Sequence, residues 1–144
     1  MNRGLEFVHK SMLAYGAACR PLCQKLKLTQ TAFDILMFLA NNPEYDTARD
    51  IVEVRHLKAN LVSIHLDRLE AEGYLIRAAV PGDRRKRALR LTEKAAPIVE
   101  AGRELQRDFF ARLEEHVDRA DKAALLRALE TMNQNMDKLL EEQN

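Results

Sequence analysis

The sequence is poor in the residues that mark several protein classes. Its 144 residues include no tryptophan, two cysteines, five glycines and four prolines. Two cysteines are too few for a disulfide framework, and the scarcity of glycine and proline favours a mostly helical chain. No apolar run is long enough to span a bilayer, and no charged-then-apolar leader opens the chain. We therefore expect a globular, mostly helical, cytoplasmic protein.

Net charge is also small, but the charges are unevenly distributed. The formal net charge is +1, from 23 basic and 22 acidic residues. Between Arg55 and Lys94, ten lysines and arginines stand against five acidic residues, which gives +5 and leaves −4 on the rest of the chain. A basic middle between acidic ends is typical of a segment that faces phosphates.

Two apolar heptad seams frame the chain, and each predicts a long helix whose apolar stripe must be covered. Pro21 lies inside the first seam, where we expect a kink or a restart of the helix. The second seam follows a break expected at Asp118–Asp121. The first seam consists of Leu5, Val8, Met12, Tyr15, Cys19, Leu22 and Leu26, and the second of Leu125, Leu129, Met132, Met136 and Leu139.

Between the seams, cap residues predict three short helices. Thr29 is the expected N-cap of the second helix, and Thr47 with Asp50 forms a capping box at the start of the third. The fourth helix is expected from about Lys58 to the residue before Gly73, which suits a helix C-terminus.

A β-hairpin is predicted next. A β-prone stretch begins at Tyr74, turns at Pro81-Gly82-Asp83 and returns as an alternating strand over Arg87–Leu91. From Thr92 the chain is helical again, with Pro97 expected to distort the first turn. The hairpin would therefore project between helices, with a basic tip.

The third and fourth helices have the proportions of a helix-turn-helix. One face of the fourth helix is apolar, and the other carries groups that suit a DNA major groove. Asn60 and Ser63 can hydrogen-bond base edges, Ile64 can contact a thymine methyl, and the cations suit phosphates. The alternative is an amphipathic helix with a merely solvated face. The inward residues are Val62, Leu66 and Leu69; the candidate DNA-binding residues are Lys58, Ala59, Asn60, Ser63, Ile64, Asp67 and Arg68.

Four consecutive cations follow the hairpin turn. Long cationic side chains on a narrow β-ribbon can enter a minor groove or lie along phosphates. The alternative is an edge strand protected by charge, but a cluster directly after a helix-turn-helix favours DNA. Asp83 is expected to pin a neighbouring arginine. The candidate residues of this wing are Asp83, Arg84, Arg85, Lys86 and Arg87.

These motifs resemble the multiple-antibiotic-resistance regulator (MarR) family over nearly the whole chain. Ala95 departs from the family pattern, in which glycine is frequent, and Leu57-Lys58-Ala59 lacks the usual serine or threonine at the start of the fourth helix. The matching pieces are Leu28-Thr29, Leu69–Arg77, Asp83-Arg84-Arg85 and Leu91–Lys94.

The resemblance implies a mainly α fold with a small β-hairpin wing, in which a winged helix-turn-helix is flanked by dimerisation helices. Residues 1–28, 29–92 and 93–144 would be the N-terminal dimerisation helix, the DNA-binding domain and the C-terminal dimerisation helices of one compact unit. The expected dimerisation residues are Leu5, Val8, Met12, Leu125, Leu129, Met132, Met136 and Leu139.

The resemblance also implies a function. We expect a homodimer that binds a palindromic double-stranded DNA operator sequence-specifically. It would act as a repressor, with a small-molecule effector bound between the dimerisation and DNA-binding parts. The recognition helices would lie in successive major grooves. No cofactor, metal or catalytic residue is expected.

Two alternatives remain open at this stage. One is a winged-helix dimer that binds proteins and has no DNA function. The other is a thiol- or metal-responsive regulator that uses Cys19 and Cys23, which lie four residues apart on one helix face. Free cysteines are often buried as small hydrophobic residues, which we favour here. The four histidines show no metal-binding spacing.

Overall fold

The computed structural model describes residues 2–143 and confirms a mainly α fold with one antiparallel hairpin. It divides into two compact units, Met1–Arg107 and Asp108–Asn144, with the boundary inside one helix. None of the helices in the described part is long and apolar enough to cross a membrane. The elements are α1 Arg3–Leu26, α2 Gln30–Asn41, α3 Ala48–Arg55, α4 Ala59–Ala71, β1 Leu75–Val80, β2 Asp83–Leu91, α5 Ala96–Leu113 and α6 Arg119–Glu141.

The core of the first unit surrounds α2, the most apolar helix of the chain. Phe33 and Leu36 of α2 are fully buried, as is Leu66 of α4. Burying each such side chain stabilises the fold by about 1.5–3 kcal/mol. Gly102 of α5 packs so closely that a Cβ there would lie 2.3 Å from the Sδ atom of Met37. Only glycine therefore fits at this position without moving the core.

The first seam serves two purposes in the structure. Helix α1 runs unbroken through Pro21. The restart that we considered at this proline does not occur. Its C-terminal half packs on the core through buried Cys19 and Cys23. Its N-terminal half leaves Leu5 and Met12 exposed, the latter to 72%. One apolar periodicity thus covers the core at one end of the helix and faces outward at the other.

The predicted caps are confirmed. The Thr29 hydroxyl accepts a hydrogen bond from the Ala32 backbone N–H at 3.1 Å. Thr47 and Asp50 form a complete capping box at the start of α3. Gly73 follows α4 with φ +82°, a left-handed conformation that glycine adopts without strain. These local contacts fix the boundaries of the three short helices.

Two sequence predictions for the chain after the wing need correction. The break before α6 lies at residues 114–118, not at Asp118–Asp121, because Asp118 is the N-cap of α6. The distortion expected from Pro97 lies just before it, as a 3₁₀ turn over Glu93–Ala95. Helix α6 then runs for 23 residues, none of which is buried.

Candidate nucleic-acid interface

One side of helix α4 is exposed to solvent and carries both polar and apolar side chains. Its inward residues are buried as predicted, and they fix which side of the helix points outward. Lys58 occupies the N-cap position, but its side chain makes no capping hydrogen bond. The backbone N–H groups of the first turn of α4 are therefore not capped by a side chain. All seven candidate residues of this helix and its N-cap are exposed: Lys58, Ala59, Asn60, Ser63, Ile64, Asp67 and Arg68.

Two of these residues already have partners in the chain. Asp67 Oδ1 accepts a hydrogen bond from Arg77 Nη2 of β1 at 2.8 Å, and Arg77 Nη1 donates to Glu70 Oε2 at 2.8 Å. Arg68 pairs with Glu72 one turn further along, at 3.0 Å. A guanidinium shared between two carboxylates fixes both partners more firmly than a single exposed pair does. Arg77 therefore ties β1 of the wing to α4.

The wing is a two-stranded ribbon with an irregular tip. Strand β2 begins at Asp83, four residues earlier than predicted, and its register with β1 shifts between Ala79 and Val80. Ala79 pairs with Arg87 and Val80 with Asp83, which leaves residues 84–86 bulged at the tip. Arg84, Arg85 and Lys86 therefore lie at the tip, and Arg87 lies at the first regular pair below it.

Asp83 shapes this tip, but differently from the expectation. Its Oδ1 accepts hydrogen bonds from the backbone N–H groups of Arg85 at 2.9 Å and Lys86 at 3.2 Å. It thus pins the main chain and not an arginine side chain, a local turn contact that aspartate favours. Within residues 2–143, no ion pair involves Arg84, Arg85, Lys86 or Arg87, and all four are exposed.

The base of the wing is anchored by contacts that the sequence did not reveal. The Leu89 N–H donates to the Asp46 carbonyl at 2.7 Å, and Arg90 Nη1 donates to Asp46 Oδ2 at 2.7 Å. The Thr92 hydroxyl donates to the Gly73 carbonyl at 2.6 Å. These bonds join the wing to the loop before α3 and to the end of α4. They hold the base of the wing beside the helix-turn-helix.

The two cysteines lie on the inner side of α1, not at an accessible site. Cys19 is fully buried and Cys23 nearly so. Burial raises the pKa of the Cys23 thiol and raises that of the Tyr15 hydroxyl to about 12. Within residues 2–143, no three His, Cys, Asp or Glu side chains are grouped to hold a metal ion. The cysteines therefore occupy the packing positions that we favoured.

A groove of about 600 Å³ runs along α1 to the start of α2. Its floor includes Cys23 and Leu28, which are buried, and its rim includes Arg20 and Lys27, which are exposed. An apolar floor beside cationic groups is a typical composition for a small-molecule site.

The expected dimerisation residues are all exposed. Leu5, Val8 and Met12 lie on α1 of the first unit, and the others lie on α6 of the second unit. On α6 the apolar residues are 44–60% exposed, far from the burial that such side chains favour. They are Leu125, Leu129, Met132, Met136 and Leu139.

Comparison with known proteins agrees with this geometry. A family model described as MarR family matches residues 26–86, which run from the end of α1 to the tip of the wing. No curated protein sequence matches the chain.

Solved structures share the fold at low sequence identity. A MarR protein from Peptoclostridium difficile is 18% identical, with TM-score 0.84 over 97% of this chain and 91% of that one. A putative MarR family transcriptional regulator from Listeria monocytogenes, complexed with 26mer DNA, is 17% identical, with TM-score 0.82 over 92% and 87%. The S. aureus MepR–DNA complex is 18% identical, with TM-score 0.78 over 94% and 99%.

The structural likenesses establish the fold, and the matching family model covers the helix-turn-helix and the wing. Residues 26–86 thus match the MarR family model, and the solved structures share the fold of the chain.

Proposed function

We propose that the chain represses transcription as a homodimer that binds a palindromic operator in the cytoplasm and releases it on binding a small molecule. Residues 29–92 would bind the DNA, and residues 1–28 and 93–144 would form the dimer. One observation carries the proposal: four exposed cations, which have no ion pair among residues 2–143, lie at or next to the tip of a ribbon whose base is anchored beside an exposed helix-turn-helix. The DNA complexes of the Listeria monocytogenes and S. aureus relatives support it.

Helix α4 would lie in a major groove, which admits one α-helix. Asn60 and Ser63 near its N-terminus would contact base edges, and Lys58 would contact a phosphate beside the uncapped helix end. The wing would lie on the flanking backbone or in the minor groove. In this arrangement the helix supplies the sequence preference and the wing supplies most of the salt-dependent affinity.

The exposed apolar faces of α1 and α6 support a dimer. An isolated helix whose apolar stripe faces water is poorly stable, so each face needs a cover. A second copy of the chain would supply it through a two-fold interface, the most frequent symmetry among soluble oligomers. The two recognition helices would then read half-sites about one turn, or ~10 bp, apart.

The groove beside α1 is our candidate for the effector site. Arg20 and Lys27 on its rim would favour an anionic ligand with an apolar body, such as an aromatic acid. Because the groove joins the N-terminal helix to the first helix of the DNA-binding part, a ligand there could bias how the two parts pack. Titrating aromatic acids while following DNA release tests this assignment.

The proposed base contacts of α4 and phosphate contacts of the wing give the first prediction. Arg85→Ala should weaken binding to operator and random duplex by a similar factor, because a phosphate contact carries no sequence information. Asn60→Ala should lower operator affinity by about 5- to 100-fold, the range of a lost base contact, and leave random-duplex affinity nearly unchanged. Gel shifts on both duplexes at two salt concentrations measure the two ratios.

Equal losses on operator and random DNA for both variants would contradict this prediction. If the unaltered chain binds no duplex even at low salt, the winged-helix dimer that binds proteins becomes the better account.

The buried thiols give a second prediction, which tests the thiol-responsive alternative. Because burial raises the pKa of Cys23, the thiolate fraction at neutral pH is below that of free cysteine. We expect iodoacetamide to alkylate the native protein at least about tenfold more slowly than free cysteine at pH 7.5. The rate should continue to rise with pH beyond the pKa of free cysteine, where the rate for free cysteine levels off.

Unfolding in guanidinium chloride should expose both thiols and remove the difference, which provides the control. Fast alkylation of the native protein, together with release of DNA by peroxide, would instead establish a thiol-responsive regulator.

A further inference from the structure

The outermost ridge of α4 carries no cation. At 100° per residue, Asn60, Ile64 and Ala71 lie within about 30° of the direction opposite the buried residues, and Asp67 and Arg68 lie about 50° to either side of it. Ile64 is 63% exposed on this ridge, although it is a large apolar side chain. Lys58 precedes the helix as its N-cap, and Asp67 and Arg68 lie on opposite flanks of the ridge. The part of α4 that would reach deepest into a groove is therefore an amide, an alkyl group and a methyl group.

The two charged groups that flank this ridge are already paired within the chain. Asp67 accepts a hydrogen bond from Arg77 at 2.8 Å, and the guanidinium offsets its negative charge. Arg68, the cation nearest the ridge, pairs with Glu72 along the flank of the helix. Recognition of guanine in the major groove relies on arginine or lysine, and the ridge has neither.

The two remaining groups match the other base pair. An asparagine amide can bond to N6 and N7 of adenine together, and an alkyl side chain can pack on the thymine methyl. Asn60 and Ile64 are four residues apart, about 6 Å along the helix axis, close to two base-pair steps of ~3.4 Å. Both can therefore reach base pairs of the same short stretch.

We propose that α4 reads A·T pairs at the centre of each half-site, with an adenine facing Asn60 and a thymine methyl facing Ile64. This inference rests on the proposed function, and it names the DNA that this function selects. A free deoxyribonucleotide does not satisfy it, because the two groups must contact neighbouring base pairs of a duplex.

The first experiment selects binding sites from a pool of random duplexes with the full chain. The expected result is a pair of related half-sites with A·T pairs at their centres. Deoxyuridine then replaces each central thymine, which removes the methyl and keeps the base pairing. We expect about fourfold weaker binding for each methyl removed, the worth of one buried carbon.

Ile64→Ala should bind the thymine and deoxyuridine duplexes equally, because the side chain that would contact the thymine methyl has been removed. Arg68→Ala is the matched control on the same helix: it should weaken both duplexes by one factor and keep their ratio. Both positions are exposed, so both variants should fold. Circular dichroism of each variant checks this.

Selected half-sites with G·C centres would overturn the inference, as would equal binding of thymine and deoxyuridine by the unaltered chain. So would discrimination that survives in Ile64→Ala, because another group would then read the methyl. In each case duplex binding persists and the proposed function stands. If no duplex is retained from the pool, the proposed function fails, and this inference fails with it.

Discussion

Replacing Arg84, Arg85, Lys86 and Arg87 together by alanine is expected to lower the affinity for duplex DNA about a thousandfold at 0.15 M salt. Each phosphate contact releases condensed counterions and adds about −0.9 to the slope of log K against log salt. If two of the four cations in each protomer reach phosphates, a dimer loses four contacts and about 3.6 from that slope. If the variant and the original chain bind equally at 1 M salt, this difference in slope makes the variant about a thousandfold weaker at 0.15 M salt.

The structure makes this variant a clean test of the wing. The four side chains are exposed and form no ion pair within the described residues, so removing them breaks no contact that supports the fold. The turn itself depends on Asp83, whose bonds go to backbone N–H groups that alanine retains. We expect an unchanged melting temperature and an unchanged dimer. Fluorescence anisotropy between 0.05 and 0.3 M salt would measure the slope.

A control variant with the same loss of charge separates local contacts from net charge. Lys10, Arg107, Arg127 and Lys138 are exposed positions outside the helix-turn-helix and the wing. Their replacement by alanine should leave the salt slope within about one unit of the original, because long-range attraction is screened beyond ~8–10 Å. If the control and the wing variant lose affinity equally, the wing has no special role and only the net charge matters.

The elements around the wing were predictable because their signals are local. Thr29, the Thr47–Asp50 capping box and Gly73 each act within three or four residues, so the sequence contains the complete signal. The inward face of α4 was predictable for the same reason, since its period of 3.6 residues is visible along the chain.

The contacts that position the site were not predictable, because they join distant segments. Asp46 and Arg90 are 44 positions apart, and no local pattern pairs them. Arg77 was visible only as one more cation of the basic segment. Its pairing with Asp67 and Glu70 depends on how β1 packs against α4. Carboxylates three residues apart on the exposed side of a helix, followed by an arginine in the next strand, are a weak signal for it.

The first seam shows a different limit. Its spacing established that one face of α1 is apolar, but spacing does not tell what covers that face. The structure buries Cys19 inside its own unit and leaves Leu5 and Met12 exposed. The error at the break before α6 has a related cause: Asp118 is equally suited to a loop and to an N-cap.

The second large effect is expected on α6. Met132→Glu should convert the dimer to a monomer at ~10 μM and lower operator affinity at least about a hundredfold. Met132 is 56% exposed in the single chain, in the middle of the apolar face. In the proposed dimer each copy would bury an unpaired carboxylate, which costs about 3–5 kcal/mol. Two such costs weaken dimerisation by a factor of about 10⁴ or more.

DNA binding should fall with the dimer because the two half-sites are then bound independently. Linking two binding modules raises affinity by about 10²–10⁴ without any new contact, and a monomer loses that gain. Residual binding of the monomer should show about half the salt slope of the dimer, since it contacts half as many phosphates. Sedimentation velocity measures the assembly, and anisotropy on operator and half-site duplexes measures the affinity.

Gln134→Glu provides the matched control, because it adds the same charge to α6 on the side opposite Met132. It should remain dimeric and bind the operator with affinity within about threefold of the original. A Met132→Glu protein that stays dimeric would place the interface elsewhere and leave the apolar face of α6 without its proposed cover. A monomer that keeps full operator affinity would instead separate dimerisation from recognition, and the palindromic operator would no longer follow from the fold.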